Sequence, residues 1–211
     1  MNVENAMSFV KKLAAPCLVP VLLFALPASS SENLTGHVLG GPPQSPVRIE
    51  VYSDFECPYC RDFYLTVIRQ VLQDYSNKVC VVYHEFPLST HRYSQEAARY
   101  SEAASRMGQQ ILLRVLDALY MEQANWSQTG RIDAVISKAL PREEFQKLKR
   151  IMKDPGVTLE VEKDRQRGLR AGINSTPTIF IYYYGRKQKV DTREGPIPYP
   201  VMKQFLDSVL K

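Results

Sequence analysis

Apolar and polar positions alternate between two periods along this chain. Val47-Arg48-Ile49-Glu50-Val51-Tyr52 alternates with period two and predicts a strand over Val47 to Ser53. A helix is expected to follow, opening at Pro58 and running to about Tyr75. Pro58 sits at its first position, where a missing N–H costs nothing. Ser76-Asn77 makes a turn, and the β-branched and aromatic run Lys78 to Phe86 predicts a second strand. Strand, helix and strand of these lengths suit a right-handed crossover between parallel strands. From Thr90 to Ile173 the period becomes helical. Helices are predicted over Tyr93 to Met107, Gln110 to Gln123 and Arg131 to Leu140, and another from Pro141. Asp154-Pro155-Gly156 breaks the pattern before a last charged helix, Val157 to Ala171. Thr178 to Tyr184 predicts a strand, Gly185-Arg186 a tight turn, and Lys187 to Thr192 a return strand. After Gly195-Pro196-Ile197-Pro198 an amphipathic helix is expected over Tyr199 to Leu210. Gly36 to Leu39 adds a short edge strand.

The N-terminus reads differently. Lys11 and Lys12 precede an apolar run from Leu13 to Leu26, and Pro27-Ala28-Ser29-Ser30-Ser31 supplies small residues suited to cleavage. The run is short against the roughly 20 residues of a membrane helix, so residues 1–30 are expected to be a signal peptide, with an uncleaved anchor as the alternative. Pro16, where a lipoprotein signal has a small residue, argues against attachment through Cys17. The Ser-, Gly- and Pro-rich residues 31–46 are expected to be a flexible segment. The formal charge of +5 comes from 27 basic and 22 acidic residues dispersed along 211, so no basic block points to nucleic acid.

Export makes the cysteines informative. Without the leader three remain: Cys57, Cys60 and Cys80. One close pair and one leftover do not make a disulfide scaffold. His37, His84 and His91 do not complete a structural zinc set with Cys57 and Cys60, and Arg61 stands where a haem attachment needs histidine. No metal or other cofactor is therefore expected. Cys57-Pro58-Tyr59-Cys60 is read as a redox-active pair or an inert disulfide. Its place between a strand and a helix favours the first, because unpaired N–H groups at a helix start stabilise a thiolate.

Three stretches carry a family resemblance: Val51-Tyr52-Ser53-Asp54-Phe55-Glu56-Cys57-Pro58-Tyr59-Cys60, Phe86-Pro87-Leu88 and Ser175-Thr176-Pro177-Thr178. Over about residues 36 to 210 the chain resembles the DsbA-like thiol:disulfide oxidoreductases of the bacterial envelope. The resemblance implies an α/β thioredoxin-like fold, βαβ then ββα, with residues 47–89 and 174–211 as the thioredoxin-like domain and 90–173 as an inserted helical subdomain. It implies a cis-proline at Pro177, exposing the Thr176 backbone for pairing with an extended substrate. Thiol chemistry makes Cys57, at the exposed helix start, the attacked sulfur and Cys60 the buried resolving sulfur. Pro58 and Tyr59 tune the pair. Tyr59 stands where the strongest oxidants of the family carry histidine, and Asp54 and Glu56 add negative charge that disfavours a thiolate. A less oxidising pair is expected. Glu50 is considered as a buried proton relay, although it lies one residue farther from the motif than the acid of thioredoxin, and without a bulge that offset turns it to the other face.

The resemblance further implies a monomer outside the cytoplasm, in the periplasm of a bacterial cell. Its expected partners are cysteine-containing envelope or secreted proteins and a DsbB-like or VKOR-like membrane protein that reoxidises it. A disulfide reductase or isomerase, or a non-catalytic chaperone, is the alternative. Cys80 is expected to be a buried small hydrophobe, His84 and His91 structural, and Trp126 and Tyr182-Tyr183-Tyr184 packed or at the rim. Asn33, Asn125 and Asn174 head glycosylation triplets by pattern only.

Overall fold

Every residue of Val79–Glu85 is buried, which a strand achieves only when both faces of its sheet are covered. The computed structural model describes residues 34–190, 192, 195 and 197–211. The expected leader 1–30, Cys17 and Asn33 lie outside the described residues. Strand β1 is His37–Gly40, β2 Val47–Ser53, β3 Val79–Glu85, β4 Thr178–Tyr183 and β5 Arg186–Lys189. They form one sheet in the order β1-β3-β2-β4-β5. β2 and β3 are parallel, in unbroken register from Val47 opposite Val79 to Ser53 opposite Glu85. β4 lies antiparallel on the other side of β2, and β5 returns against β4. β1 pairs antiparallel with β3, so part of the 31–46 segment is a sheet edge.

The crossover from β2 to β3 is helix α1 (Pro58–Phe63), a π-helical turn (Tyr64–Ile68) and helix α2 (Arg69–Asp74). The extra residue of a π turn leaves no mark on a 3.6-residue pattern. Here it buries Tyr64, Val67 and Ile68 together. Between β3 and β4 run α3 (Ser94–Ser105), α4 (Gln109–Met121), α5 (Gln123–Thr129), α6 (Ile132–Ala139), α7 (Arg142–Ile151) and α8 (Pro155–Arg170); α9 (Tyr199–Val209) closes the chain. α5 is new relative to the pattern. Its seven residues are too few to show a period, and it ends at Gly130, whose φ of 69° is left-handed. Trp126 is fully buried there and donates to the Leu119 carbonyl at 2.6 Å. α8 starts two residues earlier than expected. The Asp154 side chain accepts from the Gly156 N–H at 2.8 Å and Pro155 takes the first turn, so the three residues that break α7 also start α8.

Alternation on β2 sorts the core. Val47, Ile49 and Val51 join Val79, Val81, Tyr83 and the inner sides of α1, α4 and α9 in the larger cluster. Each such side chain contributes about 1.5–3 kcal/mol when fully buried. Tyr52, Phe86, Ile173 and Phe180 form a smaller cluster on the other face. α8 reaches that face at Gly168, where a Cβ would meet the Phe86 ring at 2.5 Å. Only glycine allows that approach.

Candidate active site

β2 delivers the chain to a turn that is held from outside. The Cys57 N–H donates to the Asp54 carbonyl at 3.2 Å. The Asp54 carboxylate is buried and accepts from the N–H groups of Glu56 and Leu88, each at 2.7 Å. It also accepts from the Ser94 hydroxyl, and His91 Nδ1 lies 2.9 Å away. Glu56 accepts from the Tyr93 N–H and the Ser94 hydroxyl. Both acids thus tie the turn to residues 88–94. From the helical insertion, Gln123 Nε2 donates to the carbonyls of Phe55 (2.6 Å) and Cys57 (3.0 Å). Gln123 stands at the junction of α4 and α5, where nothing in the sequence pattern marks it. Gln123→Ala leaves two buried carbonyls without this donor and is expected to cost about 1–3 kcal/mol. Urea unfolding checks this; an unchanged midpoint refutes it.

Cys57 is the N-cap of α1 and Pro58 its first residue. Cys57 is 5% exposed and Cys60 1%, so the helix start is more covered than its position implied; Tyr59 between them is 57% exposed. Both cysteines are free thiols. The Thr176–Pro177 bond is cis, and the Thr176 carbonyl accepts from the Cys57 thiol at 3.3 Å. The hydrogen bond from Cys60 is the largest influence on Cys57. Burial opposes it, and the Thr176 side chain and the N–H groups of Cys60 and Tyr59 add to it. The net result lowers the Cys57 thiol from 9.0 to about 6. Tyr59 therefore acts on Cys57 through its backbone, while its ring stands in solvent. Asp54 and Glu56 are not among these leading influences. Burial, then the bond to Cys57 and the charge of Cys57, push Cys60 well above 9.0; the Asp54 N–H (3.5 Å) and the Ser53 side chain pull the other way. Two adjacent thiols are thus driven apart, one to a thiolate and one to a neutral thiol.

The structure brings Cys57, Pro58, Cys60, Thr176 and Pro177 together, but not Glu50. With β2 in unbroken register, Glu50 falls on the face opposite the one that packs against Cys60. It pairs with Arg48 at 2.9 Å and lies 3.9 Å from His84. A relay from Glu50 to Cys60 does not fit this geometry. Cys80, opposite Arg48 in the ladder, is also on that face; it is fully buried and its thiol is raised by burial. His84 stacks on Tyr52 at 4.3 Å. A buried chain of hydroxyls that nothing in the sequence pattern marks starts at Ser53, beside the active-site turn. Ser53 Oγ is 2.8 Å from the Tyr120 hydroxyl, which is 2.6 Å from that of Tyr83. Among the described residues no group of His, Cys, Asp and Glu side chains is arranged to hold a metal ion.

Comparisons agree with this architecture. The thioredoxin family model matches residues 32–195. A probable disulfide bond formation protein D of Bacillus cereus is 22% identical over 147 residues, 67% of this chain and 68% of that protein. The structure of BdbD from Bacillus subtilis in its oxidised form superposes with a TM-score of 0.65 at 20% identity, covering 84% of this chain and 97% of that one. That of alpha-DsbA1 from Wolbachia pipientis gives 0.63 at 18% identity, over 81% and 89%. With its sheet order, its helical insertion and a cysteine pair at the start of α1, the chain belongs to the thioredoxin family and has the fold of its DsbA-like members.

Proposed function

We propose that this chain, a thiol:disulfide oxidoreductase of the DsbA type, acts outside the cytoplasm as a dithiol oxidase of envelope or secreted proteins. The observation that carries the reading is the opposite displacement of the two thiols, Cys57 down to about 6 and Cys60 up. It stabilises the reduced form as a thiolate–thiol pair, the property of an oxidant. A substrate thiolate attacks Cys57 Sγ in the oxidised pair, the Cys57–Cys60 bond breaks, and its electrons go to Cys60, which takes a proton. A second substrate thiol loses its proton and attacks the substrate sulfur of the mixed disulfide. Cys57 leaves as a thiolate, and a low thiol pKa makes it a good leaving group. The substrate backbone pairs beside Thr176 and Pro177. Pro58 contributes an N1 residue without an N–H. No cofactor beyond the Cys57–Cys60 disulfide takes part. A leader within residues 1–30 delivers the protein, which works as a monomer. A DsbB-like or VKOR-like membrane protein restores the disulfide.

The test is the redox potential, by equilibration with glutathione, together with the melting temperatures of both redox forms. The expected potential lies between the limits of about −120 and −270 mV set by strong oxidants and thioredoxin, and the reduced form melts higher. A higher-melting oxidised form would make the protein a reductase.

A further inference from the structure

Cys60 Sγ carries negative charge twice in a catalytic cycle, once when it leaves the opening disulfide and once when it attacks to close it again. At 1% exposure solvent gives that charge little help, and burial is the largest influence against it. One main-chain donor is in reach. The Asp54 N–H donates to Cys60 Sγ, with 3.5 Å from nitrogen to sulfur.

The amide that carries this N–H is held at its other end. The Ser53 carbonyl accepts from the Phe86 N–H at 2.9 Å. A single peptide group therefore lies between a donor from the end of β3 and the reacting sulfur. Hydrogen bonds in such a chain polarise one another, so the bond at the carbonyl strengthens the N–H as a donor. The next main-chain group is also occupied, since the Asp54 carbonyl accepts from the Cys57 N–H at 3.2 Å. The Asp54 side chain is committed to the loop after β3, through the Leu88 N–H at 2.7 Å, the Ser94 hydroxyl and His91 Nδ1 at 2.9 Å. That loop thus grips both sides of the amide, Phe86 at the Ser53 carbonyl and Leu88, His91 and Ser94 at the Asp54 carboxylate. The N–H cannot turn from Cys60 without breaking one of these bonds.

We propose that the Asp54 main-chain N–H is a catalytic donor to Cys60 Sγ, aimed by the loop after β3, with His91 as a positioning residue. This role rests on Cys57 and Cys60 being the exchanging pair. As a substrate thiolate bonds to Cys57 Sγ, the Cys57–Cys60 bond breaks and its electron pair goes to Cys60 Sγ. The Asp54 N–H donates to that charge and keeps its own proton; a solvent proton then makes the thiol. In the other direction Cys60 gives its proton to solvent, and the same N–H holds the thiolate. The thiolate's electron pair then forms the bond to Cys57 Sγ, and the thiolate bound there leaves. A donor fixed before the charge arrives needs no reorganisation at the moment of reaction. A backbone N–H also does not titrate, so it serves both directions alike. The charge of Cys57 opposes a thiolate on Cys60, and the bond from Asp54 works against that opposition. His91 is the accessible member of the clamp, its side chain 29% exposed.

The test uses the full chain with an ester in place of the Ser53–Asp54 amide, which deletes this N–H and keeps the Asp54 side chain. Glutathione is loaded on Cys57. Its release at pH 7 is followed by the action of Cys60 and, in Cys60→Ser protein, by that of added dithiothreitol. A hydrogen bond to a charged group changes the thiolate population about ten- to a hundredfold. A Brønsted slope of about 0.5 returns half of that exponent as greater nucleophilicity. Release by Cys60 is therefore expected to fall about three- to tenfold relative to release by dithiothreitol. A general loosening of the Cys57 turn acts on both rates and leaves their ratio alone. His91→Ala lowers the ratio by a smaller factor, and His91→Asn, whose amide nitrogen can take the place of Nδ1, recovers it. An unchanged ratio in folded ester protein overturns the donor, as does an unchanged ratio in His91→Ala should the ester protein not fold. Parent protein that forms no mixed disulfide at Cys57 overturns the exchanging pair and the donor together.

Discussion

Cys57→Ser is expected to abolish disulfide exchange, whereas Cys60→Ser is expected to capture substrates as mixed disulfides without releasing them. The asymmetry follows from the opposite shifts of the two thiols. A thiol at about 6 is roughly nine-tenths thiolate at pH 7, against about 1% for one at 9.0, a gain of about ninetyfold in the reacting form. The lower basicity costs about 15- to 30-fold in nucleophilicity at a Brønsted slope of 0.4–0.5. Thiolate supply therefore wins, by a few-fold. The larger benefit comes when Cys57 is the group that leaves. The sign of the pH effect follows from the same shift. The folded value lies below the unfolded one, so this contribution to the stability of the reduced protein is complete only above about pH 9 and is lost as pH falls through 6. At pH 7 it is on the order of 1 kcal/mol, equivalent to about 30 mV. The gap between thioredoxin and the strongest oxidants is about 150 mV, which this one group does not span, and the expected potential is accordingly intermediate. Thiolate absorbance of the reduced protein, titrated from pH 4 to 10, should show a midpoint near 6 that disappears in Cys57→Ser. A midpoint at 8 to 9 would remove the basis of the mechanism.

Much of this was legible because local signals agreed. Period-two alternation in β2 placed the strand, and Pro58 placed the helix start. The offset of Glu50 already marked it as facing away from Cys60, since an unbroken strand fixes side-chain parity. Other features depend on contacts between segments far apart in sequence. Tyr120 is simply one apolar position in the α4 pattern until the fold sets its hydroxyl against Ser53, 67 residues away. Gln123 reads as a helix-end polar residue until α5 turns it onto the Cys57 carbonyl. The charges of Asp54 and Glu56 are legible in the sequence, but where their carboxylates point is not. Proximity in sequence to Cys57 suggested a repulsive effect on the thiolate, whereas both carboxylates turn to donors that arrive from residues 88–94.

That capture predicts the largest stability effect in the site, at Asp54. Asp54→Ala removes a buried acceptor from the N–H groups of Glu56 and Leu88, the Ser94 hydroxyl and the His91 ring. Hydrogen bonds to a charged group are worth about 1.5–3 kcal/mol each, but they share one carboxylate and do not add. Water admitted to the vacated space also recovers part of the loss. An effect of about 3–5 kcal/mol, the range for removing one partner from a buried charged network, is expected. Against a total of about 5–15 kcal/mol for a typical domain, that is enough to lower the urea midpoint sharply with the m-value unchanged. Glu56→Ala should cost less, because Glu56 is only half-buried and Ser94 keeps Asp54 as a partner. The same carboxylate connects the Cys57 turn to the loop before α3. Asp54→Ala should therefore also slow mixed-disulfide formation at Cys57 under conditions where the variant is still folded. A loss below about 1 kcal/mol, the scale of a single exposed ion pair, would mean that the turn is held by its own backbone and by Gln123, with the clamp from residues 88–94 dispensable.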